Sequence, residues 1–188
     1  MIKIIDDIFE EQFLDYLNHT FKYLHYKFYL DHNNVFEEHH NETPLMLSNS
    51  GPKQFDSPPY EYMFKTFLEA DKSINKNITV NDRYIHLSPY GATGPLHHDT
   101  HIQNDLSFLF YPSIWDPKYE GSTLIRPDEG DDQIIEYKQN RLVIFDGSFW
   151  HQAMHHTNPN HRFTVVFLTH FITRQNYEGT YPQYDIVD

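Results

Sequence analysis

From about residue 78 onward the chain breaks into short apolar runs: RYIHLSP, DLSFLFYP, STLIRP, QIIEY, RLVIF and RFTVVFLTHFI. Clusters of Pro, Gly, Asp and Asn punctuate them. The runs are rich in β-branched and aromatic residues, which suit a pleated surface with one or both faces buried. Several short strands at this spacing predict an antiparallel sandwich or barrel.

The first third reads differently. IDDIFEEQFLDYLNHTFKYL sets Ile8, Phe9, Phe13, Leu14, Leu17 and Phe21 at three- and four-residue steps, the apolar stripe of a helix over 7–24. Asp6 and Asp7 are candidate caps, and Glu10 follows Asp7 at the capping-box spacing. EYMFKTFLEADKSI predicts a second helix near 61–74. Between them, residues 40–60 are turn-rich and predict an irregular loop, a candidate lid. The fold class is therefore α+β. The 188 residues suit a single domain, with 1–77 as helical support and lid loop and 78–175 as a β-rich catalytic core.

Composition narrows the chemistry. With no cysteine, disulfides and thiolate metal sites are impossible, so any metal must be held by His, Asp or Glu. Fifteen Phe and fourteen Tyr supply an aromatic core. A formal charge of −13 repels phosphate backbones and argues against a nucleic-acid partner. The opening MIKIIDDIFEEQF lacks the apolar run of a secretory signal, and no stretch reaches membrane-spanning length, so a cytoplasmic protein without a membrane partner is the expectation.

Residues 95–101 read PLHHDTH. In an extended segment, residues i and i+2 point the same way, so His97 and Asp99 can grip one ion while His98 faces away. The segment FDGSFWHQAMHHTNPNHR offers His151, His155, His156 and His161 as a third ligand. His151 is selected because it follows the buried strand VIF and its Gly turn, at the mouth of the β unit, although His151 and His155 share a face on an ideal strand. Two imidazoles and one carboxylate on one side of an ion leave positions open for co-substrate and O2, the pattern of non-haem Fe(II) oxygenases. An isolated H-x-D triplet arises often by chance in a chain with 14 His. For His98, His101, His155 and His156 we expect solvated or supporting roles.

These residues resemble the Fe(II)- and 2-oxoglutarate-dependent dioxygenases, in particular their prolyl-4-hydroxylase-like branch. The family pattern of H-x-D, a distal His and a later Arg reads here as His97, Asp99, His151 and Arg162. SPYGATGPLHHD is similar to the family's turn before H-x-D, and FLFYPSIWDPKYEGSTLIRPDEG and RLVIFDGSFWHQA to the passages that follow. The compact, acidic chain looks like a bacterial or phage-encoded member, which would place it in the host cytoplasm in the phage case. The resemblance implies a double-stranded β-helix (jelly-roll) barrel supported by N-terminal helices. It implies Fe(II), 2-oxoglutarate as co-substrate and O2, with ascorbate as an optional addition, and hydroxylation of a C–H bond in a peptide or small-molecule substrate: a prolyl residue or a free amino acid. Arg162 would bind the far carboxylate of 2-oxoglutarate, with Tyr111 supplementing it, Tyr90 lining the same pocket and Leu124 forming a wall. The rival readings are a cupin-like metal-binding barrel, which usually carries H-x-H, and a non-catalytic binding scaffold, which would lack a ligand.

Overall fold

A computed structural model describes residues 1–24, 27–28, 47–50, 58–74 and 77–171. The six strands predicted after residue 78 all form, as β4 (Ile78–Ser88), β5 (Leu106–Tyr111), β6 (Thr123–Arg126), β7 (Gln133–Ile135), β8 (Arg141–Asp146) and β10 (Arg162–Phe171), and a seventh that was not predicted, β9 (Trp150–Ala153), lies among them. Three more strands precede them: β1 (Ile2–Asp6), β2 (Lys27–Phe28) and β3 (Leu47–Ser50). Two helices, α1 (Glu11–Phe21) and α2 (Pro58–Ala70), complete the set with a short 3-10 turn at Pro117–Tyr119.

The strands form two antiparallel sheets. One has seven strands in the order β1-β8-β5-β10-β4-β3-β2, and the other has three in the order β7-β6-β9. Among the described residues the two sheets do not close into a continuous barrel, so the jelly roll is an open two-sheet sandwich. Its central strands read as nearly unbroken apolar runs because both faces are buried. Phe108, Phe110, Leu142, Ile144, Phe163, Val165 and Phe167 pack under the helices with Leu14, Leu17, Met63 and Phe67. The alternate residues Leu109, Tyr111, Val143, Phe145 and Val166 face the three-stranded sheet, where they meet Ile125, Ile135 and Tyr137. The large sheet thus divides a helix-side core from an inner face, and the functional residues of β4, β5 and β10 lie on the inner face.

The N-terminal expectation needs correction. Helix α1 starts at Glu11 rather than residue 7, and its N-cap is Glu10, which makes no side-chain cap bond. Ile2–Asp6 instead pairs with β8, with Asp6 opposite Arg141. Asp6 accepts from the Arg141 guanidinium at 2.7 and 3.0 Å and from Lys138 at 2.8 Å. An acid engaged in strand-to-strand ion pairs cannot cap a helix. Helix α2 begins at Pro58, a residue suited to a first helical turn, and ends at Ala70. Of the candidate lid, residues 47–50 form β3, between β4 and β2 in the large sheet, and residues 58–60 open α2. Residues 40–46 and 51–57 lie outside the described residues.

Candidate metal centre

His97 and His151 sit opposite one another as an antiparallel bridge. The amide of His97 donates to the His151 carbonyl at 3.0 Å, and the His151 amide donates back at 2.7 Å. Such a reciprocal pair puts both side chains on one face. Asp99 follows two residues on, where its own amide and that of Thr100 donate to the Gly147 carbonyl at 2.9 and 3.2 Å. The β8–β9 turn that delivers His151 therefore also holds the segment that carries Asp99. Gly147 is required there. A Cβ at this position would stand 2.9 Å from Thr100 Cγ2 and 3.0 Å from Ser107 Oγ.

The donor atoms of His97, Asp99 and His151 all lie within 4.8 Å of one another. His97 Nε2 is 3.6 Å from one Asp99 oxygen and His151 Nε2 is 3.5 Å from the other. Each Nδ1 lies against a backbone carbonyl, Pro95 for His97 at 3.0 Å and Phe149 for His151 at 3.1 Å. A carbonyl only accepts, so Nδ1 carries the proton and the Nε2 lone pair points at the shared centre. Ser107 Oγ donates to Asp99 Oδ2 at 2.5 Å, fixing the carboxylate's rotation. Burial raises the Asp99 pKa, but the bond from His97, the charges of His151 and His97 and the Ser107 hydroxyl together hold it below the ordinary carboxylate range. Burial is the main cause that lowers the pKa of His151, with Asp99 opposing. Both states, anionic Asp and neutral His, are those a metal ion requires.

Across the same cleft stands Arg162, 2% exposed. Its register on β10 places it opposite Ser88 of β4. Its guanidinium lies over the Tyr137 ring at 5.1 Å and near that of Tyr111 at 6.0 Å. Its polar contacts are long, 3.5 Å to the Met154 carbonyl and 3.5 Å to Thr123 Oγ1, and its Nε has no partner. Among the described residues no carboxylate pairs with it. Burial lowers its pKa, while Tyr111 and Tyr137 oppose that fall. Tyr111 is also fully buried, and its hydroxyl meets Thr123 Oγ1 at 2.7 Å. A buried, under-partnered guanidinium flanked by two hydroxyls is a receptor for a carboxylate.

The structure therefore brings His97, Asp99 and His151 together and sets Arg162 across the cleft from them, with Tyr111 buried behind the wall and bonded to Thr123. It does not bring Tyr90 there: Tyr90 is 61% exposed and absent from the cleft wall, because the turn at Pro89–Gly91 carries it outward. Leu124 also turns away. It pairs with Gln152 on β9, while its neighbours Thr123 and Ile125 face inward and Thr123 lines the cleft. The alternation in TLIR could have shown this, since Ile125 pairs with His151. His98 faces away as expected, its ring against His101 at 4.2 Å and Trp150 at 4.8 Å. His155 lies outside the cluster, with Nδ1 near the Gly91 carbonyl. His156 departs from the expectation of a solvated ring. It is fully buried, with Nε2 donating to the Ser88 carbonyl at 3.2 Å.

A jelly roll that points two imidazoles and a carboxylate at one centre from a single side, and a guanidinium toward the same cleft, is built as a mononuclear non-haem metal enzyme. The donor set and the unpartnered Arg162 Nε fit a divalent ion and a dicarboxylate. Residues 85–170 match the family model of the 2OG-Fe(II) oxygenase superfamily. No curated protein sequence matches the chain.

Among solved structures, Pseudomonas putida prolyl-4-hydroxylase superposes with a TM-score of 0.69 at 14% identity, covering 89% of this chain and 91% of that one. A prolyl hydroxylase from Trichoplax adhaerens, solved with a hypoxia inducible factor peptide fragment, gives 0.68 at 14% identity, covering 90% and 83%. HygX from Streptomyces hygroscopicus, solved with nickel and 2-oxoglutarate, gives 0.66 at 9% identity, covering 89% and 82%. The chain thus shares the jelly-roll fold of these oxygenases, and its residues 85–170 carry the sequence pattern of a superfamily that uses Fe(II), 2-oxoglutarate and O2.

Proposed function

We propose that the protein hydroxylates a C–H bond of a prolyl residue in a peptide, with a free amino acid as the second choice of substrate. The observation that carries the reading is the convergence of the His97, Asp99 and His151 donors within 4.8 Å in the same cleft as a buried Arg162. In this reading His97 Nε2, His151 Nε2 and one Asp99 oxygen hold Fe(II). Arg162, Tyr111 and Thr123 hold the far carboxylate of 2-oxoglutarate. When bound, Fe(II) and 2-oxoglutarate would supply the O2-activating chemistry, in which one oxygen atom goes to a substrate C–H and the other to succinate as 2-oxoglutarate loses CO2.

The chain's own groups do the positioning. The Pro95 and Phe149 carbonyls keep the two imidazoles in the metal-binding tautomer, and Ser107 leaves Asp99 one free oxygen. Tyr111, Tyr137 and Leu109 keep the guanidinium end dry, which strengthens the Arg162–carboxylate contact. The acidic balance of the chain argues against a nucleic-acid substrate. Among the described residues no helix is long and apolar enough to cross a membrane. The reading takes the chain as one domain with a catalytic core over 78–175, acting in the cytoplasm.

The test is direct. The anaerobic protein mixed with Fe(II) and 2-oxoglutarate should show a weak visible charge-transfer band, lost in Asp99→Ala and His151→Ala and kept in His155→Ala. Succinate release, with ascorbate keeping the iron ferrous, is then followed against proline-containing peptides, free amino acids and nucleotides. Stimulation by peptides supports the first choice. Stimulation by nucleotides alone would overturn both choices.

A further inference from the structure

One polar side chain in the cleft has no role in the account above. His86 lines the same wall as His97, His151 and Arg162. It lies on β4 between Tyr84 and Ser88, on the face those two share. Across the ladder Arg162 pairs with Ser88 and Thr164 pairs with His86, so His86 stands one step inward from the guanidinium end. Its electrostatic neighbours are His97, Asp99 and His151 on one side and Arg162 on the other. Its ring packs on Tyr84 at 4.6 Å, and no hydrogen bond from a described residue reaches either ring nitrogen.

The ring is half-buried and faces the cleft. A neutral imidazole carries one N–H donor and one acceptor, both available there to a ligand. Burial first, then the charges of His97, Arg162 and His151, push the His86 pKa down to about 3 against the pull of Asp99. The ring therefore stays neutral and offers a donor into a space bounded by a metal-binding triad and a carboxylate receptor. Packing alone would favour an apolar residue in this position, as Val166 and Leu109 show elsewhere in the same wall.

We propose that His86 is a co-substrate-binding residue, its ring N–H donating to a carboxylate oxygen of 2-oxoglutarate held between Arg162 and the triad. This rests on the 2-oxoglutarate reading above. His86 stands outside the cluster of metal donors, so its contribution goes to the dicarboxylate and not to the ion.

Calorimetric titration of the Ni(II)-loaded full chain with 2-oxoglutarate tests it, using wild type, His86→Ala and His86→Asn, with Arg162→Ala as reference. His86→Ala should bind 2-oxoglutarate about tenfold or more weakly, the size of one hydrogen bond to a charged group. His86→Asn, which keeps a donor, should recover most of that loss, and all three proteins should bind Ni(II) equally. Wild-type affinity in His86→Ala, an asparagine variant no better than alanine, or a matching loss of Ni(II) affinity would overturn the assignment. Should His86→Ala fail to fold, the comparison of His86→Asn with His86→Leu carries the same outcomes. A wild type that binds Ni(II) but not 2-oxoglutarate fails differently, since it sinks the proposed function together with this residue's role.

Discussion

Arg162 carries a charge into an aromatic wall, and among the described residues no carboxylate stands beside it. Desolvating an unpaired guanidinium costs several kcal/mol in the ligand-free protein. We therefore predict that Arg162→Met raises the melting temperature of the ligand-free protein, by roughly 1–3 kcal/mol of stability, while removing the further rise that 2-oxoglutarate gives the wild type. Scanning fluorimetry with and without 2-oxoglutarate reads both effects. A methionine variant that melts lower than wild type would mean that Arg162 is structural. His97, Asp99, His151 and Arg162 were legible in the chain because H-x-D, a distal His and a strand-opening Arg form a pattern with spacing. Thr123, Ser107 and His86 were not. Each is a single residue whose role depends on which strand lies opposite, and that pairing joins positions far apart. Tyr90 misled because a tyrosine near a glycine turn reads as pocket lining until the turn's direction is known.

At the level of elements, Asn140 joins the N-terminal segment to the connection between β7 and β8. Its Oδ1 accepts from the Phe9 amide at 2.9 Å, and its Nδ2 donates to the Phe9 carbonyl at 2.7 Å. Its φ of 63° is in the left-handed region that asparagine tolerates better than most residues. Asn140→Ala loses both bonds and takes on backbone strain, so it should cost about 2–4 kcal/mol. Urea unfolding measures this, and Asn140→Gly should fall between, since it relieves only the strain. Strand β1 has a separate tie. The Arg141 hydrogen bond to Asp6, opposed by burial and joined by Lys138, holds the Asp6 pKa at about 2. A depressed carboxylate stabilises the fold above its unfolded pKa of about 4 and loses that contribution as pH falls toward 2. Asp6→Asn should therefore flatten the stability–pH curve between about pH 4 and pH 2, and at neutral pH cost no more than about 1 kcal/mol, since the pair is partly exposed. An unchanged acid limb would show that the tie contributes nothing. Strand β1 escaped the sequence reading because Asp6, Asp7 and Glu10 imitate a helix cap. Only pairing with Leu142, Val143 and Ile144 reveals the alternation of IKIID as a strand.

At the scale of the whole molecule, the metal donors come from segments joined through the Gly147 carbonyl, and ligand binding should stiffen the entire sandwich. An ion at about one hundred times its Kd adds about 2.7 kcal/mol to a fold that binds it only when native. For a protein of this size that is a rise of roughly 5–10 °C. Ni(II) should produce it in wild type, EDTA should reverse it, and Asp99→Ala should show none. The two-sheet class was readable from the strand rhythm, whereas the seven-stranded order was not, since β1, β8 and β5 become neighbours only through long-range pairing. That large sheet has a consequence for how such a chain can vary. On β10 the residues Arg162, Thr164 and Val166 line the cleft, while Phe163, Val165 and Phe167 pack in the helix-side core. One inserted or deleted residue there would swap the two sets, presenting phenylalanine to the co-substrate and driving a cation among aromatic rings. The only slip in the β10–β4 pairing falls between Leu168 and Thr169, past the last residue of the cleft. Length changes are thus tolerable only in connectors such as 127–132, and an odd-numbered indel within β10 would abolish activity and folding together.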